Sequence, residues 1–168
     1  MTQALLLAAA LLVPGAPADN FVVQAELQGL YDEISQATLQ FTTADDIDEF
    51  HEVLYTADWV FTDPAGHKRT WPEMRQDAVR ALSEPRLESM TQTIVKLSVD
   101  PGGATVVVNL STARTMVDHE GRYGRPNAMH TVADTTPFRD RWIRVSGEWK
   151  LTSREQIGLA SESVDKPE

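Results

Sequence analysis

The stretch Leu54–Met74, LYTADWVFTDPAGHKRTWPEM, carries three structural signals in succession. Trp59, Phe61 and Asp63 fall on one side of an extended chain and Val60 and Thr62 on the other, which is the two-residue period of a short strand over 58–63. DPAGHKR joins an Asp-Pro step to a glycine and reads as a turn. Thr70-Trp71-Pro72-Glu73 then sets an N-cap threonine three residues ahead of a glutamate, with proline in the first turn. That capping-box pattern predicts a helix through about Ser83, which Pro85 stops. The anomaly is Asp63, a carboxylate in line with a tryptophan and a phenylalanine.

Upstream, Leu27, Leu30, Tyr31, Ile34 and Phe41 recur at the spacing of an amphipathic helix. After a break at 42–44 a second, acidic helix carries Ile47, Phe50, His51 and Leu54 on one side. Downstream of Glu88 the periodicity changes to that of strands. SMTQTIVKLSV and ATVVVNLSTARTMV flank Asp100-Pro101-Gly102-Gly103, a hairpin signal, and AMHTVADTTPFRDRWIRV turns at Ser146-Gly147 into EWKLTSREQI. The order predicts an α+β fold, a curved antiparallel sheet wrapped by three N-terminal helices, with no parallel pairing and no second domain. Strong curvature leaves a pocket between the layers.

The chain has 168 residues, 42% hydrophobic and 24% charged, enough for one domain with a real core. The apolar run Ala4–Val13, followed by Ala16-Pro17-Ala18, fits a signal peptide over 1–18, although no Lys or Arg precedes the run. This predicts an exported protein, periplasmic or secreted, with its domain over 19–160 and a disordered tail over 161–168. There is no cysteine, so neither a disulfide nor a thiolate nucleophile is available. Residues 1–67 hold eleven acidic side chains and no Lys or Arg, and the whole chain carries a formal charge of -10. Phosphate binding needs a basic surface, so nucleic acid and anionic membranes are excluded as partners. The acids are read as the solvated faces of the first two helices.

The opening stretch and the closing RDRWIRVSGEWKLTSREQI (139–157), with helices in the intervening places, resemble the nuclear transport factor 2-like superfamily in its SnoaL-like and ketosteroid-isomerase-like branch. The resemblance spans about residues 24–158. It implies a cone with an apolar cavity at one end and frequent homodimerisation through the sheet. Members include isomerases, cyclases, epoxide hydrolases, dehydratases and non-catalytic binding modules, so the fold does not decide activity.

In the ketosteroid isomerases the general base is an aspartate in an Asp-Pro step, and Asp63-Pro64 matches it. Desolvation on an apolar face raises a carboxyl pKa toward the range useful for proton abstraction. The competing role is a turn, in which the Asp63 side chain accepts backbone N–H groups two residues on. Asp140 resembles the isomerases' second aspartate, a protonated hydrogen-bond donor, and competes with simple pairing to Arg139, Arg141 or Arg154. The isomerases' oxyanion tyrosine falls at Thr38 or Leu39 in this chain. Tyr31 lies seven or eight residues earlier and reads as a core residue.

Trp59, Phe61, Trp71, His51, His130 and Trp142 are the candidate pocket residues, with Trp71 at the mouth; Arg114, Arg122 and Arg125 are candidates to meet an acidic ligand group. No metal or cofactor signature is present: no H-E-x-x-H, P-loop, G-x-G-x-x-G or G-x-S-x-G. The functional expectation is a domain that binds a small, largely apolar molecule and catalyses isomerase-, dehydratase- or cyclase-type proton transfer from Asp63. The alternative is a non-catalytic binding or dimeric interaction module.

Overall fold

The computed structural model describes residues 17–164. Most of the expected signal peptide and the last four residues lie outside the described residues. The elements run α1 (Pro17–Gln40), α2 (Ala44–Leu54), β1 (Tyr55–Thr62), β2 (Lys68–Thr70), α3 (Trp71–Ala81), β3 (Ser89–Asp100), β4 (Gly103–Asp118), β5 (Ala128–Val145), β6 (Glu148–Gln156) and β7 (Ser161–Val164).

Both short helices begin at reciprocal caps. The Glu73 carboxylate accepts the Thr70 N–H at 2.7 Å, as the sequence predicts. A second cap opens α2: Asp46 accepts the Thr43 N–H at 2.9 Å while the Thr43 hydroxyl accepts the Asp46 N–H at 3.2 Å. The predicted stripe of α1 is the buried one, with Leu27, Tyr31 and Ile34 against the sheet.

The strand order is β2-β1-β6-β5-β4-β3, with β7 also pairing β5. Three features differ from the sequence reading. The sheet is mixed, because β1 pairs with β6 in parallel, Val60 opposite Ser153 and Phe61 opposite Arg154. A period of two is the same in either orientation, and the connection between these strands spans the whole antiparallel meander, so no tight turn dictates direction. Residues Lys68–Thr70, read as turn, form β2 against β1. Residues 161–164, expected in a disordered tail, form β7, paired Val132 to Val164 and Thr135 to Ser161.

The junction between β6 and β7 lies at Pro137 of β5. The Pro137 carbonyl accepts the Ile157 N–H at 3.1 Å, and a Cβ on Gly158 would stand 2.8 Å from the proline ring. A proline inside a long central strand is tolerated here because its missing N–H faces the gap in the ladder. Register shifts between Tyr55 and Val60, Ile94 and Lys96, and Arg141 and Trp142 bend the sheet toward α1. Gly103 closes the β3–β4 hairpin at φ 142°, where a Cβ would stand 2.0 Å from the Trp142 carbonyl oxygen. The core fills the concave face with Ala104, Val106, Val108, Phe138, Trp142 and Leu151, covered by Leu27, Tyr31 and Ile34 of α1, with Leu54 and Trp59 alongside.

Candidate functional site

Where the C-terminal end of α1 meets α2 and α3, a cavity of about 370 Å³ opens beside the core. Thr38, Leu39 and Phe41 form one wall, Ile47, Phe50 and His51 of α2 a second, and Trp71, Ala78, Ala81 and Leu82 a third. Tyr55 also lines it, and the segment 84–87 and Arg114 supply the rest. The two helical walls are clamped to each other: Arg75 of α3 donates from Nε and Nη2 to the two Asp48 oxygens of α2, both at 2.6 Å. A bidentate pair of this kind fixes orientation as well as distance. Trp71 is the first residue of α3, so the Thr70–Glu73 cap that starts the helix also sets the indole.

His51 is the polar centre of this wall. It is 8% exposed, stacks on Trp71 at 3.8 Å between ring centroids and on Tyr55 at 4.7 Å, and meets the edge of Trp59 at 6.2 Å. Its Nε2 is buried without a hydrogen-bond partner. Burial pushes its pKa down to about 4, against a small opposing pull from Asp48, so the imidazole is neutral at neutral pH.

Asp63 is not in this cavity. It follows β1, in a turn that it ties together itself. Oδ1 accepts the Ala65 and His67 N–H groups, both at 2.9 Å, Oδ2 lies 3.0 Å from His67 Nδ1, and the side chain is 31% exposed. The His67 N–H bond foremost, with the His67 ring and the Ala65 N–H adding to it, holds the carboxyl below the ordinary range. That is the reverse of the shift a general base at this position requires. Its contacts are those of the turn role: Asp63 follows Thr62, the last residue of β1, and its carboxylate is taken up by Ala65 and His67.

Asp140 is fully buried and, like Asp63, is not among the residues that line the cavity. Arg154 Nε donates to Oδ1 at 2.9 Å and Nη2 to Oδ2 at 2.6 Å, and the Tyr31 hydroxyl donates to Oδ2 at 2.7 Å. Trp142 Nε1 donates in turn to the Tyr31 oxygen at 2.9 Å, and Arg154 Nη2 to Gln92 at 2.8 Å. Burial opposes the Arg154 charge, but the Asp140 charge and hydrogen bonds outweigh it and raise its pKa. Burial first, then the Asp140 charge, pushes the Tyr31 phenol up. Both Asp140 oxygens accept, from Arg154 and Tyr31, which is the arrangement of a structural acceptor and not of the expected donor. Tyr31 is a core residue, as read.

Of the six expected pocket residues, His51 and Trp71 line the cavity. Trp59 and Trp142 belong to the core, and Phe61 packs toward Phe138 with ring centroids 6.5 Å apart. His130 lies near the far end of β5, 2% exposed, under Tyr123 of the 119–127 loop, with neither ring nitrogen partnered. It is outside the cavity because at this end of the sheet Tyr123 of the loop stands against it. Of the candidate arginines, Arg114 reaches the cavity. The walls that were missed, Phe41, Ile47, Leu82 and Leu87, come from helix ends and the loop after α3. Phe41 and Ile47 fall on apolar helix stripes, and only tertiary packing separates core from wall; no periodic pattern covers Leu82 and Leu87. Among the described residues no group of three or more His, Asp or Glu side chains is placed to hold a metal ion.

No protein-family model and no curated protein sequence matches the chain. Solved structures do. A conserved protein from Planctomyces limnophilus is 18% identical, with 87% of this chain and 98% of that chain covered and a TM-score of 0.58. A nuclear transport factor 2-like superfamily protein from Salmonella enterica serovar Typhimurium is 14% identical over 84% of this chain and 91% of that chain, TM-score 0.55. A protein from Novosphingobium aromaticivorans, named provisionally as a scytalone dehydratase, is 13% identical over 87% and 88%, TM-score 0.52. At these identities the likeness is one of architecture, and the matches extend over nearly all of each chain. The three-helix, curved-sheet domain described here has the fold of the nuclear transport factor 2-like superfamily.

Proposed function

We propose that this domain binds a small, largely apolar molecule in the cavity between α1, α2 and α3, as a binding module rather than a proton-transfer enzyme. The observation that carries the reading is a cavity of about 370 Å³, walled mainly by hydrocarbon, whose histidine is a neutral imidazole and whose Tyr55 phenol is pushed up by burial. Ligand pockets run from about 300 to 1,000 Å³ and are mostly apolar with a few polar groups. Acid–base catalysis works best with a pKa near the operating pH. A histidine at about 4 is a weak base, and the two aspartates are occupied in a turn and an ion pair. The Novosphingobium neighbour's provisional name supports use of this architecture for a small molecule, without carrying its reaction over.

The test is calorimetric titration with 1-decanol. Saturable one-to-one binding is expected, weakened about tenfold by Trp71→Ala, which strips the indole from the wall. Asp63→Asn lowers the melting temperature and leaves the affinity for decanol unchanged. Absence of binding by the folded wild-type protein would defeat the reading. Native mass spectra of the same samples report the oligomer. A doubled mass is expected from self-association through the outer face of β4 and β5, where Ser111 faces Thr135, Ala113 faces Ala133 and Thr115 faces Thr131 without a charge. Export is supported by the apolar run Ala4–Val13, and Val23, a side chain of α1 against the core, lies beyond the expected cleavage point. Recovery outside the cytoplasm of a chain beginning at Asp19 is the corresponding check.

A further inference from the structure

The charges around the cavity are few and of uneven sign. The walls from α1, α2 and β1 contribute none, although the first 67 residues hold eleven acids and no Lys or Arg. Three charged side chains line the space: Glu84, Arg86 and Arg114. They meet there because the Glu88 N–H donates to the Ala113 carbonyl at 2.8 Å, which lays the segment after α3 along β4 next to Arg114. The Glu84 carboxylate stands 4.0 Å from Arg114, at the outer limit of an ion pair, and both are open to solvent.

Arg86 is different. Nine of the eleven arginines of the chain sit within ion-pair distance of a carboxylate; among the described residues Arg86 and Arg125 do not. Of these two, only Arg86 lines the cavity. In a chain of net charge -10, the mouth of its apolar cavity thus carries one cation more than it has anions, and that cation is uncommitted.

We propose that the natural occupant is an apolar carboxylic acid, its hydrocarbon body against Phe41, Ile47, Trp71 and Leu82 and its carboxylate held at the mouth by Arg86, with Arg114 as the second cation. This rests on the binding role proposed above and names its ligand class. The guanidinium fork matches a carboxylate with two parallel N–H donors, and a single net positive charge suits a monoanion. Partial desolvation at the edge of an apolar space strengthens the contact over one made in open water. His51 stays neutral beneath it and adds no competing cation deeper in the cavity.

The experiment pairs two probes of equal chain length, decanoate and 1-decanol, titrated calorimetrically into the full chain at pH 7.5 and low salt. Decanoate is expected to bind about tenfold more tightly than decanol. Arg86→Gln should remove most of that advantage and leave decanol within twofold of wild type, with an unchanged melting temperature because the side chain is exposed and has no partner to lose. Raising the salt should weaken decanoate alone. Equal affinities in the wild type, or the same loss for both probes in Arg86→Gln, would overturn the carboxylate assignment while leaving the cavity a binding site. Failure of both probes to bind would overturn the binding role itself, and this proposal with it.

Discussion

Asp140→Asn is expected to destabilise the domain by roughly 3–5 kcal/mol, because it leaves the Arg154 guanidinium buried without its counter-charge. Asp140 is fully buried and the Arg154 side chain is 12% exposed, so water can do little to compensate. The amide keeps one acceptor oxygen in place of two, so Tyr31 and Arg154 compete for it, and through Tyr31 the Trp142 indole loses a fixed partner. A domain of this size has ~5–15 kcal/mol in total, so the single change removes a large share of it. Arg154→Met should cost a similar amount for the converse reason. The double variant Asp140→Asn, Arg154→Met is expected to lose much less than the two single losses added together, since no charge then remains to be desolvated. Urea unfolding of the four proteins closes the cycle. Additive losses would show that Asp140 and Arg154 act independently and that the pair is not what organises this part of the core.

The same cluster explains what could and could not be read from the chain. The stripe on α1, the Thr70–Glu73 cap, the hairpin at Asp100–Gly103 and the strand boundaries after Glu88 are local signals, each decided by residues a few positions apart. They give the element order, and the order is enough for the fold class. The partnership of Asp140 with Arg154 was one of three arginine pairings the sequence left open. It is fixed by the β5–β6 register, in which those two residues pair directly, just ahead of a shift between Arg141 and Trp142. Parallel pairing of β1 with β6 depends on residues roughly ninety positions apart, and no local pattern encodes it. The site was legible in part for the same reason. His51 and Trp71 stood out as a polar residue on an apolar stripe and an aromatic at a cap. Arg86 follows a proline in an exposed loop, where nothing local separates it from any surface arginine.

Acidification provides the second large effect, and it isolates His51. Its pKa in the folded protein is about 4 against an ordinary 6.5, so between those values the unfolded chain binds a proton that the folded chain does not. Stability is therefore at its plateau above pH 6.5, declines as pH falls through 6 and 5, and has lost roughly 3 kcal/mol from this one group by about pH 4. The carboxylates held down by hydrogen bonds act in a lower window. Asp100, brought to about 2 first by Arg141, keeps its contribution until the pH drops below 3.8. His51→Phe should keep an aromatic ring against Trp71 and Tyr55, where the centroids stand 3.8 and 4.7 Å away, and it removes the titration. Urea unfolding of both proteins from pH 7.5 to 4.5 should then give a curve that slopes downward for the wild type and a flatter one for the variant, the gap between them widening steadily below pH 6.5. Parallel curves would mean that the imidazole is protonated as readily in the folded protein as in the unfolded chain, and the neutral wall of the cavity would be lost with it. A bound apolar ligand sharpens the test: by filling the space beside His51 it should extend the plateau to lower pH in the wild type and leave the shape of the variant's curve unchanged.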